Sequence, residues 1–307
     1  MKLLLTAYGS RNGKGKGVIE IDYNEKENNL RAEQIIALDG KCNLVAADKD
    51  EILLTQEKDG KNLLETYDRD THKLKERVET AFIYNYMQVF DEYLLLASFK
   101  NGVDALYDRE AKKERKLVVH EREGKQGGRS HYIRQLKDGR IVSVENGLNQ
   151  IYLYKNKDLE IGKVIDLEKK NIRLMSFADE EKTVFLNTEA SNELLELDGE
   201  SFEITDSFRL AEEGFSGGHT VSENGRYVFV GVRGEDTLAV FENDNGKVSL
   251  REKIPCGKTP RDLYYQDGFL FVSCTDENAV EVYEHKNRHL QKINSVAVSN
   301  PVTFEMN

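Results

Sequence analysis

Two sets of polar side chains recur through the sequence at intervals typical of a structural repeat. The first set is basic, and its members lie 42 to 46 residues apart: His131, Arg173, His219 and Arg261. The second set falls between them at similar intervals: Asn146, Glu189 and Arg233. Arginine binds carboxylate or phosphate through parallel hydrogen bonds, histidine exchanges a proton near neutral pH, and glutamate can act as a general base. Such a combination suits acid–base chemistry on a small anionic substrate.

The stretches around these residues repeat as well. Each contains an alternating apolar run, a polar turn and a second alternating run, as in "RYVFVGVRGEDTLAVFE" and "GFLFVSCTDENAVEVYE". Alternation at period two predicts strands, and turns such as "KDG" and "ENG" predict hairpins. One large apolar residue near the end of each second run marks the period, at spacings of 40 to 47 residues: Ile21, Tyr67, Tyr107, Tyr154, Leu197, Phe241 and Tyr283.

Seven copies of this unit predict an all-β fold, a seven-bladed β-propeller with four antiparallel strands per blade. A large two-domain sandwich fits so regular a spacing less well. The chain begins with a strand of the second type, "KLLLTAY", and ends with "NPVTFEMN", which has the pattern of a first strand. We therefore expect the C-terminal strand to join the N-terminal blade and close the ring, giving a single domain over residues 1–307.

The blade topology predicts where the polar sets lie. In an antiparallel blade, the start of the first strand and the end of the second strand reach the same face. The first set lies 22 to 24 residues before the marker residue and the second set 8 residues before it. We therefore expect both sets, with Phe99 and Thr275 at the same second-strand position, to meet at one mouth. A purely structural role is the alternative, because propeller channels often contain paired polar groups, and Arg173 with Glu189 is one such possible pair.

Composition limits the function classes. The chain of 307 residues has a net charge of −11, which argues against binding to nucleic-acid backbones or anionic membranes. Its three cysteines include no C-x-x-C pair, so neither a disulfide framework nor a cysteine zinc site is expected. We see neither a signal-peptide core nor an apolar run of about 20 residues. We expect a cytoplasmic protein that needs no metal or cofactor.

A Gly-rich segment near the start of the sequence and the segment around His120 also carry polar residues that could contribute to a site. The Gly-rich "GSRNGKGKG" at 9–17 lacks the P-loop pattern and precedes a strand, so we interpret it as a long turn. His120, in "LVVHEREGKQGG", precedes the first-strand position of the fourth blade and is expected near the mouth. There is no G-x-S-x-G or H-E-x-x-H motif.

Several segments carry a family resemblance. "SENGRYVFVGVRGEDTLAVFE" is similar to an S-x-D-G-R-x-x-Y-x-x-N-R-G run, "GKTPRDLYYQDGFLFVSC" to a G-x-x-P-R segment, and "RSHYIRQLKDGRIVSVENG" to a P-H-x-H segment. With these the chain resembles the lactonase family of seven-bladed β-propellers, which includes 6-phosphogluconolactonases and carboxymuconate-cyclising enzymes. It departs from the family pattern at Ser130, Ile133, Ile172 and Leu174.

The resemblance implies a lactone hydrolase and names its catalytic residues. His131, Arg173, Glu189 and Arg233 match the family's proposed active-site positions, and we expect His219, Arg261 and Asn146 to bind substrate. Glu189 or His131 would be the base, the other would protonate the leaving oxygen, and the two arginines would bind the oxyanion or the anionic group. The first candidate substrate is 6-phosphoglucono-δ-lactone. Another anionic lactone, of the muconate type, and a non-enzymatic binding propeller are the alternatives.

Overall fold

The computed structural model describes residues 1–9, 16–167, 171–212, 214–244 and 246–305, without the side chains of residues 43, 125 and 126. Most of the long turn predicted over 9–17 lies outside these residues. Among the described residues there are seven four-stranded antiparallel sheets and one short hairpin. Helical structure is limited there to two 3₁₀ turns, Glu25–Glu27 and Asp179–Glu181.

One sheet combines both ends of the chain. Its strands, from the outer edge inward, are β3 (Asn29–Ala37), β2 (Lys16–Asn24), β1 (Lys2–Tyr8) and β30 (Pro301–Phe304). Strand β30 pairs antiparallel with β1, with Leu5 opposite Phe304 and Ala7 opposite Pro301. The predicted closure of the N-terminal blade by the C-terminal strand is confirmed.

The other six sheets each use four consecutive strands. Three precede residue 167: β4 (Lys41–Ala47), β5 (Glu51–Lys58), β6 (Lys61–Asp68) and β7 (Leu74–Glu79); β8 (Tyr86–Val89), β9 (Tyr93–Ser98), β10 (Val103–Asp108) and β11 (Lys113–Val119); β14 (Ser130–Gln135), β15 (Ile141–Glu145), β16 (Gln150–Tyr154) and β17 (Ile161–Asp166). The short hairpin consists of β12 (Glu121–Arg122) and β13 (Lys125–Gln126).

Three further sheets follow: β18 (Ile172–Ala178), β19 (Thr183–Thr188), β20 (Glu193–Asp198) and β21 (Ile204–Arg209); β22 (Ser216–Val221), β23 (Tyr227–Val232), β24 (Thr237–Asp244) and β25 (Lys247–Pro255); β26 (Pro260–Gln266), β27 (Phe269–Cys274), β28 (Ala279–Lys286) and β29 (His289–Ala297). All seven marker residues are buried in the third strand counted from the inner edge of their sheet.

The described residues form two compact units. One comprises Met1–Ala37 and Leu174–Phe304, and we call it the first unit. The other, the second unit, comprises Leu38–Arg173 together with Glu305. The expectation of a single domain over residues 1–307 stays a prediction.

In each unit the core lies between neighbouring sheets. In the first unit, Leu5, Ile21, Phe271 and Phe304 belong to one apolar cluster between the sheet of the two termini and the sheet of β26–β29. In the second unit, apolar residues of β9 and β10 pack with those of β14–β16. Second and third strands are therefore buried on both faces, whereas outer strands such as β7 and β17 are largely exposed. This double burial explains the apolar character of the inner strands.

Candidate active site

The second polar set lies where the topology predicted. Asn146, Glu189 and Arg233 directly follow the last residues of β15, β19 and β23, the second strands of their sheets. Phe99 and Thr275 follow β9 and β27 in the same way. Their backbone N–H groups still bond across the hairpin, as from Asn146 to the carbonyl oxygen of Arg129 and from Arg233 to that of Phe215, so each side chain stands at the last bonded position of its strand. The sequence spacing alone therefore identified a set of equivalent strand ends.

Two members of the first set lie in bulges at the start of a first strand. Pro260 pairs with Cys274 and Asp262 with Ser273, which leaves Arg261 unpaired between them. Bulges re-aim the side chain of the extra residue, and they recur beside active sites. His131 occupies the corresponding bulge of β14, between Ser130 and Tyr132.

Arg173 has the same place in β18 as Arg261 has in β26. It precedes a residue whose backbone N–H donates to a second-strand side chain: the N–H of Leu174 donates to Oδ1 of Asn187 at 3.1 Å. Likewise, the N–H of Asp262 donates to Oγ of Ser273 at 3.0 Å. Arg173 is buried, with 7% of its surface exposed.

The placement of His219 at a strand start was wrong. Ser216 pairs with Val232, the last residue of β23, so His219 lies three residues farther along β22, opposite Val230. Its Nε2 lies 3.2 Å from the carbonyl oxygen of Phe185 in the neighbouring sheet, and the side chain is buried. Counting from the marker residue gave the wrong strand position because the hairpin is two residues longer here: 16 positions separate the paired Ser216 and Val232, and 14 separate Pro260 and Cys274. Gly217, not His219, therefore follows the first paired residue as Arg261 does in β26. A Cβ on Gly217 would lie 2.1 Å from the Pro260 oxygen, so only glycine fits there. The substrate-binding role of His219 stays a prediction.

The most direct contact between predicted catalytic residues is in the first unit. Nη2 of Arg233 lies 2.7 Å from Oε1 of Glu189, and the two side chains are 21% and 24% exposed. Nε of Arg233 donates to the backbone oxygen of Ser216 at 2.9 Å, and the guanidinium lies over the ring of Phe215. Three contacts therefore hold the arginine in one orientation. The carboxylate is fixed beside it and still reaches solvent.

Arg261 is in the same unit but has a different environment. Its guanidinium lies over the ring of Tyr8, with 5.6 Å from Cζ to the ring centroid, and Nη2 is 3.4 Å from the tyrosine hydroxyl. It forms no ion pair with another described residue. Its charge is therefore available to an anion, and its substrate-binding role stays a prediction.

His131 and Asn146 belong to the second unit. The His131 ring meets Phe99 edge-on, with centroids 5.2 Å apart, and the Arg129 guanidinium lies over the same phenyl ring. Asn146 is fully buried, and its Nδ2 donates to the carbonyl oxygen of Ile172 at 2.7 Å. This bond uses one N–H donor of the Asn146 amide and holds the start of β18 to the end of β15.

Each unit thus contains part of the predicted site. The first unit contains Glu189, Arg233, His219 and Arg261, and joins the first two in an ion pair. The second unit contains His131, Asn146 and Arg173. That both parts face one mouth stays a prediction from the repeat, and so does a structural pairing of Arg173 with Glu189.

A buried polar network in the second unit was missed by the sequence analysis. His120 is fully buried: its Nε2 lies 2.9 Å from both Oδ2 of Asp104 and the Tyr154 hydroxyl, and its Nδ1 is 3.2 Å from Oε2 of Glu145. The Tyr152 ring stacks on the imidazole, with centroids 3.9 Å apart. The acidic residues inside the apolar strands "VDALYD" and "IVSVE" were the available signal, because a buried carboxylate needs a partner.

This network fixes the protonation of His120 and the strand ends around it. Burial by itself lowers the pKa of His120, but the neighbouring Asp104 and Glu145 carboxylates outweigh it and raise the pKa to about 9. Glu145 also accepts hydrogen bonds from the backbone N–H groups of Arg129 and Gly147, at 3.0 and 2.8 Å. The network therefore braces the strand ends that carry His131 and Asn146.

The described residues do not suggest a metal centre. No group of three or more His, Cys, Asp and Glu side chains among them is arranged to hold a metal ion. Likewise, within the described ranges no helix has the length and apolar character needed to cross a membrane.

Comparison with known proteins gives a family match over nearly the whole chain. Residues 2–306 match the sequence profile of a family described as lactonase, seven-bladed β-propeller. A curated relative, the 6-phosphogluconolactonase of Bacillus subtilis strain 168, is 32% identical over 163 residues, or 47% of this chain. The alignment spans 46% of that relative's length.

Solved structures resemble the fold at low sequence identity. A protein from Lactobacillus plantarum has a TM-score of 0.88 at 17% identity, and a Bacteroides uniformis protein provisionally called a 6-phosphogluconolactonase has 0.86 at 19%. A periplasmic gluconolactonase of Pseudomonas aeruginosa has 0.83 at 15%. Each comparison covers 99% of this chain and 98% of the other. At such identities these matches establish the fold alone.

Proposed function

Because the chain belongs to the lactonase family of seven-bladed β-propellers, we propose that it hydrolyses a lactone, namely 6-phosphoglucono-δ-lactone, to 6-phosphogluconate. The half-length similarity to the Bacillus subtilis 6-phosphogluconolactonase supports this choice of substrate. The observation that carries the proposal is the ion pair between Glu189 and Arg233 at the end of two second strands. It supplies a solvent-accessible carboxylate and a cation in contact.

The reaction adds water to the lactone carbonyl carbon and breaks the bond between that carbon and the ring oxygen. Glu189 takes a proton from the attacking water as the new carbon–oxygen bond forms. Negative charge develops on the carbonyl oxygen, and a guanidinium stabilises it. The ring oxygen leaves with a proton, and the carboxylic acid formed releases one proton to solvent at neutral pH.

Arg233 is suited to the oxyanion because only part of its hydrogen-bonding capacity is used. Its Nε binds Ser216 and its Nη2 binds Glu189, whereas Nη1 makes no hydrogen bond to a described residue. The rigid fork of the guanidinium allows one arginine to orient the carboxylate and to face a developing charge at the same time. Arg261, with no ion-pair partner among the described residues, is a secondary contact to the substrate.

His131 is the proposed proton donor to the leaving oxygen, and an exchange of roles between His131 and Glu189 is the alternative. The reference pKa of an imidazole side chain is about 6.5, which suits proton transfer in either direction at neutral pH. The pH dependence of turnover in variants distinguishes the two assignments. If His131 is the acid, His131→Ala removes the basic limb of the profile, and if it is the base, the acidic limb disappears.

The proposal is tested with Glu189→Gln, which keeps the shape of the side chain and removes the base. We expect turnover of freshly prepared 6-phosphoglucono-δ-lactone, followed by proton release, to fall by about 10²- to 10⁴-fold. Glu235→Gln is the matched control, because Glu235 lies in the turn after Arg233 and pairs with the exposed Lys253. Unchanged turnover in Glu189→Gln would remove Glu189 from the mechanism.

A further inference from the structure

A hollow opens in the second unit next to His131. It has a volume of about 470 Å³ and is lined by Lys41, Glu57, Ile83, Asn85, Phe99 and Lys100. Phe99 connects it to the predicted catalytic residue, since its ring contacts the edge of the His131 imidazole. We call this feature the Phe99 hollow.

The hollow is positively charged in a strongly acidic chain. Lys41 forms no ion pair with any residue that the structure describes, and the same holds for the guanidinium of Arg129, which lies over the Phe99 ring. Glu57 is the one acidic side chain among the described lining residues, and its Oε2 is 3.5 Å from the ammonium group of Lys100. The two lining lysines therefore face one carboxylate, which leaves one positive charge of the lining uncompensated, and Arg129 adds a further cation on the Phe99 ring. Such a site attracts an anion of matching charge.

The floor of the hollow is rigid and partly apolar. The backbone N–H of Phe99 donates to Oδ1 of Asn85 at 3.1 Å, while the N–H of Asn85 itself donates to the carbonyl oxygen of Ala97. Nδ2 of Asn85 makes no hydrogen bond to a described residue and remains a donor. Phe99 and Ile83 supply apolar surface against which the carbon face of a sugar can lie.

We propose that the Phe99 hollow binds the phosphoryl group of the substrate, through Lys41 and Lys100, and so selects phosphorylated lactones. A phosphate monoester is close to doubly charged at neutral pH, and Lys41 and Lys100 supply two cations for it, of which Lys100 is shared with Glu57. Lysine ammonium groups bind phosphate as point charges and need no fixed geometry. The contact between Phe99 and His131 then places the sugar ring beside the proposed proton donor. This inference rests on the proposed function.

The test compares two substrates and two products. We expect the double variant Lys41→Gln/Lys100→Gln to raise KM for 6-phosphoglucono-δ-lactone by at least tenfold and to leave KM for glucono-δ-lactone unchanged. Calorimetry should show that the double variant binds 6-phosphogluconate about tenfold more weakly than the wild type does, and that its affinity for gluconate is unchanged. Lys61→Gln, which breaks an exposed pair with Glu79 in the same unit, is the matched control and should change neither.

The outcomes separate the inference from the proposed function. Suppose that the wild type hydrolyses both lactones and that the double variant raises KM for both equally or for neither. Then the hollow does not bind phosphate, while lactone hydrolysis stands. If the wild type hydrolyses neither lactone, the proposed function fails, and calorimetry with the two acids then tests the phosphate site by itself. A wild type that binds 6-phosphogluconate no better than gluconate overturns the inference, whereas a preference lost in the double variant supports it.

Discussion

At the scale of single residues, chemistry depends on which groups meet across the strand ends. Glu189 and Arg233 are 44 positions apart in the sequence but 2.7 Å apart in the structure. The repeat predicted that both follow a second strand, because the period is regular. It did not predict their contact, since a side-chain rotamer and the brace from Ser216 decide that. His219 shows the converse: it lies two residues farther along its strand than the spacing indicated, because the hairpin of β22 and β23 is two residues longer than that of β26 and β27.

The His120 network gives a prediction at this scale. Because its pKa is raised to about 9, charged His120 stabilises the fold fully below about pH 6.5, and this contribution is lost as pH rises through about 9. His120→Asn leaves Asp104 and Glu145 without their shared cation and should cost about 3–5 kcal/mol near pH 6. Urea unfolding between pH 6 and pH 10 measures the difference from wild type, which should shrink as pH rises. A difference that stays constant would contradict the charged assignment.

Glu242 gives the opposite pH dependence. Its buried carboxylate binds Arg226, Arg251 and Arg288, and these partners, Arg288 foremost, lower the pKa of Glu242 to about 2. A lowered pKa gives a stability contribution that is present above about pH 4.3 and lost as pH falls through about 2. Glu242→Gln should therefore be less stable than wild type at pH 6, and the difference should shrink to a small part of that value by pH 2. Unfolding of the control Glu284→Gln, whose side chain is 37% exposed, should follow the wild type throughout. A gap between Glu242→Gln and wild type that is as large at pH 2 as at pH 6 would refute the ion-cluster explanation.

At the scale of elements, the sequence predicted strands better than it predicted the polar groups inside them. The seven marker residues all lie in third strands, because strands buried between two sheets need apolar side chains on both faces. Glu65 and Glu281 interrupt that pattern, and each accepts a hydrogen bond from the hydroxyl of the tyrosine two residues later. Such pairing depends on which side chains the fold brings together, so the alternation of apolar and polar residues alone does not reveal it.

The pairing of β30 with β1 yields a prediction at the element scale. Phe304 is buried in the core cluster that contains Leu5 and Phe271, although it lies almost at the end of the chain. Phe304→Ala should destabilise the protein by about 3–5 kcal/mol, because it removes a buried ring from a close-packed core. Leu250→Ala, at a residue 48% exposed, is the control and should cost well under 1 kcal/mol. Equal unfolding midpoints for the two variants would show that β30 does not contribute to the core.

At the scale of the whole molecule, the repeat was sufficient to predict seven four-stranded sheets and the joining of the two chain ends. Regular spacing is a strong signal because each repeat must present the same faces to its neighbours. Function is not determined at this scale, since propellers carry many activities. The family match supports the proposed reaction class, whereas the proposed choice of substrate depends on local features such as the Phe99 hollow. The cytoplasmic location and the absence of nucleic-acid or membrane partners stay predictions from composition.

The measurement that tests the central claim most directly is the initial rate of proton release from fresh 6-phosphoglucono-δ-lactone with the purified wild-type protein. We predict a rate that is proportional to protein concentration, saturates with substrate and far exceeds spontaneous hydrolysis. A rate equal to the spontaneous background at every protein concentration would contradict the assignment of this lactone as the substrate.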